Sequence, residues 1–122
     1  QDIIEQAHQT SASYEAEKSE FKEVGLSEEY LSDFKAPFVK ESQIKMGCSY
    51  ENEYHIKESG CIVIVANIEH IYFNENIQTK DGFLDLTKAA SVGIIGLDAY
   101  VKTEMIDRFS YARPAEKLKS IL

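Results

Sequence analysis

Two stretches of alternating hydropathy, separated by three residues, constrain this chain more than any other feature. From Ser42 to Lys57 the even positions include Ile44, Met46, Cys48, Tyr50, Tyr54 and Ile56, while the odd positions are Gln43, Lys45, Gly47, Ser49, Glu51, Glu53, His55 and Lys57. Successive side chains on a strand point to opposite faces, so period-two alternation over this length predicts a long strand with one buried face. Residues 61–74 predict a second strand, with Ile62, Ile64, Ala66, Ile68, His70 and Tyr72 at even positions. The intervening Glu58-Ser59-Gly60 fits a three-residue hairpin loop, a type I turn closed by a left-handed glycine. Setting Lys57 opposite Cys61 pairs Ile56 with Ile62, Tyr54 with Ile64, Tyr50 with Ile68 and Cys48 with His70. In that register the apolar rows share a face, and a one-residue slip would separate them.

The remaining chain reads as short elements around this hairpin. Asp2-Ile3-Ile4-Glu5 predicts a helix start with a capping box in which Asp replaces Ser or Thr. His8 falls beside the apolar face of that helix and reads as a helix-surface residue. Gly25 predicts a helix stop, and Ser27-Glu28-Glu29 another short helical turn. Ala36-Pro37 marks an extended connection. Asp81-Gly82 predicts a turn, residues 85–90 a short helix, and residues 97–103 a strand after a glycine-broken turn. Pro114 fits the first position of a short C-terminal helix carrying Leu118, Ile121 and Leu122.

The 122 residues are 43% hydrophobic, a globular composition, and their number suits a single domain over 1–122. No apolar run approaches the ~18 residues of a membrane-spanning helix, so no membrane partner is expected. The net charge is −8, with most of the excess acid in residues 1–60. A field of that sign repels phosphate backbones and argues against nucleic acid as a partner. Cys48 and Cys61 show no C-x-x-C spacing, and the hairpin register keeps them far apart. That predicts reduced, buried thiols rather than a disulfide or a zinc site, and a cytoplasmic location. Phosphate-binding loops, a nucleophile elbow and a distinctive carboxylate pair are all missing from the sequence. Of the titratable residues, His70 stands out because it continues the row Ile62, Ile64, Ala66, Ile68; His55 falls on the polar face.

A series of short motifs then resembles a known family. In order they are Gln9-Thr10-Ser11-Ala12 ahead of Ser19-Glu20-Phe21; Val24-Gly25-Leu26-Ser27; Ala36-Pro37-Phe38-Val39-Lys40-Glu41-Ser42; and the strand holding Cys48. Then come Ile62-Val63-Ile64-Val65-Ala66 leading to His70, Asp81-Gly82-Phe83-Leu84-Asp85, Gly96 with Tyr100, and Arg113-Pro114. Their order and spacing resemble the C-terminal part of the flavin reductase-like, FMN-binding split-barrel family, in its flavoredoxin-like branch.

The resemblance implies a mainly β fold with short helices (α+β), an antiparallel split β-barrel without its N-terminal strands. It implies FMN as cofactor, NAD(P)H as co-substrate and a homodimer. In such proteins the cofactor carries the redox chemistry while the chain supplies position and electrostatics, so no acid–base triad is required. His70 matches the family's strand histidine near the flavin, and Tyr100 the aromatic after the glycine-rich turn; Phe21 and Arg113 are further cofactor-binding candidates. The upstream part of the family's domain supplies most contacts to the FMN phosphate and ring. Two function classes therefore stay open: a reductase-type or flavoredoxin-like electron-transfer flavoprotein, and a non-catalytic split-barrel dimerisation module that has lost its cofactor.

Overall fold

The structure, a computed structural model, describes residues 2–122. Its elements in chain order are α1 (Ile4–Gln9), α2 (Glu20–Val24), β1 (Glu28–Glu29), β2 (Phe38–Val39), β3 (Ile44–Ile56), β4 (Cys61–Phe73), a 3-10 turn (Glu75–Ile77), β5 (Val92–Ile95) and β6 (Ala99–Lys102). The strands form three antiparallel pairs, β1–β2, β3–β4 and β5–β6. The mainly antiparallel β architecture with two short helices is the one expected.

The long hairpin forms where the alternation places it, but its register differs. Ile56 pairs with Cys61, Tyr54 with Val63, Cys48 with Ile68 and Gly47 with His70. The loop is therefore four residues, Lys57 to Gly60, closed by the Gly60 amide donating to the Ile56 carbonyl at 2.9 Å. Gly60 sits at φ +68°, a left-handed conformation that costs a residue with a Cβ about 1–2 kcal/mol. Two β-bulges, at Glu51 on β3 and at Glu69 on β4, each add a residue without a cross-strand partner. The expected pairing of Cys48 with His70 is thus wrong. The bulge at Glu69 moves His70 one step along, opposite Gly47, and onto the face opposite Ile68 and Cys48.

That face switch builds the small aromatic core. Phe34 and Phe38 lie over Gly47, where a Cβ would come within 3.2 Å of both rings. Phe34 packs edge-on to His70 with ring centroids 5.8 Å apart, and Phe38 edge-on to Tyr72 at 5.4 Å. These separations fall in the favourable range for aromatic pairs, each worth about 0.5–1.5 kcal/mol beyond burial. On the same face Lys45 pairs with Glu29 at 3.1 Å, tying β3 to β1.

Other expectations need correction. The helix begins after Ile3 with no side-chain cap, so the Asp2 capping box does not form. Glu28–Glu29 is a strand rather than a helical turn, because it pairs with Phe38–Val39. Residues 85–90 make a single turn instead of a helix: Asp85 Oδ1 caps its start, accepting from the Thr87 amide at 3.0 Å and the Lys88 amide at 3.4 Å, and Ala90 at φ +51° ends it. Val92–Ile95 is a strand that the glycines at 93 and 96 had masked; Gly96, at φ +68°, turns it back on β6. Pro114 opens a turn, not a helix. The adjacent chain instead folds back through an isolated bridge between Phe109 and Ser120. Both cysteines are free and exposed rather than buried. The Gly25 helix stop and the Asp81-Gly82 turn form as expected, with both glycines in the left-handed region.

Candidate functional site

The four candidate cofactor contacts do not converge on one cavity. Tyr100, half-buried on β6, lines a groove of about 660 Å³ whose walls include Ile3 and, after it, Ile4 and Ala7 of α1, Ile44 of β3 and Val92 of β5. His70 lines a second groove of about 380 Å³ with Asp33, Phe34, Lys35, Ala36 and Glu69. Both volumes fall in the range of ~300–1,000 Å³ typical of small-molecule sites. Phe21 is half-buried on α2, and neither groove includes it. Arg113 is exposed, paired with Glu116 at 3.2 Å and set 6.0 Å from the Tyr111 ring.

The local chain explains these positions. β6 returns from the Gly96 turn beside β5, and that hairpin brings Tyr100 across to α1. There the Tyr100 hydroxyl lies 2.9 Å from His8 Nδ1, with the two rings edge to face. His70 is held between the Phe34 ring and the Tyr72 ring, the latter stacked at 6.0 Å. Tyr72 in turn donates to Ser32 Oγ at 3.0 Å, which fastens the segment carrying Phe34 to β4. Charged side chains share both walls: Asp2, Glu41 and Lys88 in the Tyr100 groove, and Asp33, Lys35 and Glu69 in the His70 groove. Beside the apolar side chains they supply donors and acceptors that a flat heteroaromatic ring with carbonyl and N–H edges can use.

A third cluster carries the strongest electrostatics and was not legible in the sequence. Arg108 lies 4.0 Å over the Phe83 ring and donates to Asp81 Oδ2 at 2.7 Å. Thr79 also hydrogen-bonds the Asp81 carboxylate. Hydrogen bonding from Arg108, then from Thr79, holds that carboxyl far below the ordinary aspartate range. Asp85, buried nearby in sequence, is lowered mainly by the Thr87 hydroxyl. Arg108 meets residues 79–83 from 25 positions away or more, and no local pattern announces such a partner. Among the described residues, no three His, Cys, Asp or Glu side chains gather as a metal site requires.

No known family's sequence profile matches the chain, and no curated protein sequence matches it. Solved structures do. A candidate flavin reductase with a split barrel domain from Shewanella frigidimarina NCIMB 400 is 44% identical over 92% of this chain, with a TM-score of 0.86; the match spans 57% of that protein. Nitrilotriacetate monooxygenase component B from Bacillus cereus matches 84% of the chain at 18% identity and TM-score 0.69, over 52% of its own length. Flavoredoxin of Desulfovibrio vulgaris (Miyazaki F) matches 96% at 18% identity and TM-score 0.67, over 61% of its length. The last two show the shared fold alone.

The chain's antiparallel pairs and long bulged hairpin are therefore those of a split β-barrel, of which it spans a little over half the length seen in these relatives. Within that class it matches the flavin reductase-like split-barrel family.

Proposed function

We propose that this chain is part of an FMN-binding oxidoreductase of the flavin reductase or flavoredoxin type. In this reading NAD(P)H is the electron source, and two copies assemble as a homodimer. The observation that carries it is the 44% identity with the Shewanella protein across 92% of the chain, at a TM-score of 0.86. The size of the two grooves supports it, since both fall in the range of small-molecule sites. Bound FMN would supply hydride and electron transfer; the chain's own residues bind and orient it. Tyr100 offers a hydroxyl, and His70 an imidazole fixed between two rings, for hydrogen bonds to flavin or nicotinamide oxygens. Phe21 and Arg113 are secondary candidates at the edge of the same function.

A flavin fluorescence titration and an NADH-oxidation assay test the proposal. One polar contact is worth roughly 0.5–1.5 kcal/mol, and up to ~3 where the flavin atom carries charge. His70→Ala is therefore expected to weaken FMN binding or hydride transfer by about three- to a hundredfold while the far-ultraviolet circular dichroism stays unchanged. Equal affinity and rate in the variant would remove His70 from the site. A chain that binds no FMN and still pairs with itself would favour the second reading, a dimerisation module. The exposed apolar face of the hairpin, including Met46, Ile64 and Ile68, lends that reading support.

A further inference from the structure

Tyr100 is held from outside the groove that it lines. His8 is exposed on α1 and lies 92 residues earlier in the chain, yet its Nδ1 is 2.9 Å from the Tyr100 hydroxyl. The ring centroids are 5.7 Å apart at an interplanar angle of 84°, an edge-to-face contact. Tyr100 is among the groove's walls and His8 is not. We infer that His8 is a positioning residue, which fixes the ring and the hydrogen-bonding direction of Tyr100 toward a ligand in the groove. The inference rests on the reading that the groove takes a flavin, and it assigns His8 a role that its place on a helix surface does not suggest.

A phenol hydroxyl has one donor and two acceptor sites and rotates freely when only water meets it. The imidazole removes that freedom. With the ring proton on Nε2, Nδ1 accepts from the Tyr100 hydroxyl, and the phenol oxygen is left to accept from a ligand N–H such as a flavin imide. With the proton on Nδ1, the imidazole donates, and the hydroxyl proton is presented to a ligand carbonyl. Either tautomer leaves the Tyr100 hydroxyl one defined function for a ligand. The edge-to-face packing restrains the ring itself, so less rotamer freedom is lost when the ligand binds.

The test uses the full protein of which this chain is part, with His8→Leu, His8→Asn, Tyr100→Phe and the His8→Leu/Tyr100→Phe double variant. Asn places a polar atom close to the position of Nδ1; Leu fills the space without one. His8→Leu is expected to raise the FMN dissociation constant by about two- to tenfold and to shift the visible absorption of bound flavin. His8→Asn should restore most of both. In the Tyr100→Phe background His8→Leu should have a much smaller effect, because the part that passes through the hydroxyl is gone. An effect of equal size in that background would overturn the inference. So would a His8→Leu variant with unchanged affinity and spectrum. A flat titration of the unmodified protein would count against the flavin reading alone. In that event the carbon-13 shift of Tyr100 Cζ decides: moved by His8→Leu and returned by His8→Asn, it supports positioning, and unmoved it refutes it.

Discussion

At the residue scale, the chain depends on contacts that a single atom alters. Gly47 is buried beneath Phe34 and Phe38 on β3, and an added methyl would meet both rings at 3.2 Å. Phe34 is half-buried and can yield, whereas Phe38 is only 6% exposed. Overpacking of this kind costs about 1–3 kcal/mol, partly offset by the smaller backbone entropy of alanine, about 0.5–1 kcal/mol. Gly47→Ala is expected to lower stability by about 1 kcal/mol in urea titration, with Phe34→Leu as a second substitution that restores part of the loss. Asp81 gives a pH prediction of definite sign. Its folded-state carboxyl titrates below the ordinary value of 3.8, chiefly through Arg108 and then Thr79. A group depressed on folding adds stability above its unfolded pKa and loses it as pH falls toward the folded one. The pair's contribution should therefore be constant from neutral pH down to about pH 5 and decline below about pH 4. Asp81 is largely exposed, so added salt should weaken the effect. Urea midpoints across that range should fall less steeply for Asp81→Asn than for the unmodified chain.

At the element scale, bulges decide which side chains meet. Between Tyr50 and Asn52, and again between Ile68 and His70, one strand carries an extra residue. The second bulge converts a simple even-numbered row into two faces: Ile68 on one side, His70 and Tyr72 with the Phe34–Phe38 cluster on the other. Deleting Glu69 removes the extra residue while leaving Ile68 opposite Cys48 and His70 opposite Gly47. That deletion is expected to preserve the His70–Phe34 ring contact, seen as an unchanged ring-current shift in proton NMR. Deleting Ile71 instead would carry Tyr72 and the residues after it to the wrong face and should abolish the cluster's near-ultraviolet circular dichroism. The hairpin loop is the other control point. Gly60→Ala places a Cβ at φ +68° and should cost about 1–2 kcal/mol, read as a lower melting temperature with no change in strand content.

At the scale of the whole molecule, surface area is the leading fact. A monomer of 13.8 kDa folded around its own core exposes about 6,600 Å². This chain exposes 10084 Å², and among the described residues only Phe38, Ile77 and Ala89 are buried apolar residues. The hairpin carries part of the excess: Ile62 and Ile64 are more than half exposed on one face and Tyr54 on the other. Contiguous apolar surface of this extent drives association. The 122-residue chain alone is expected to self-associate at tens of micromolar in sedimentation velocity, within the range of ordinary interface affinities. Ile64→Lys with Ile68→Lys should shift it toward monomer, since both lie on the same uncovered face. A monodisperse monomer before substitution would contradict the expectation.

The sequence by itself determined the long antiparallel hairpin, the Gly25 and Asp81-Gly82 turns and the resemblance to split-barrel flavin proteins. These are properties of local period and turn chemistry, or of motif order, and they need no knowledge of distant neighbours. The tertiary structure decided the register, because neither the four-residue loop closed at Ile56 and Cys61 nor a bulge leaves a mark in hydropathy: Glu69 is an ordinary polar residue in an alternating row. It decided that Glu28–Glu29 is a strand, since two residues acquire that conformation only from the partner strand at Phe38–Val39. It separated His70 from Tyr100 into two grooves, and it brought His8 to Tyr100 and Arg108 to Asp81. Such pairs span tens of residues, and their energy exists only once packing has brought the partners within hydrogen-bonding reach.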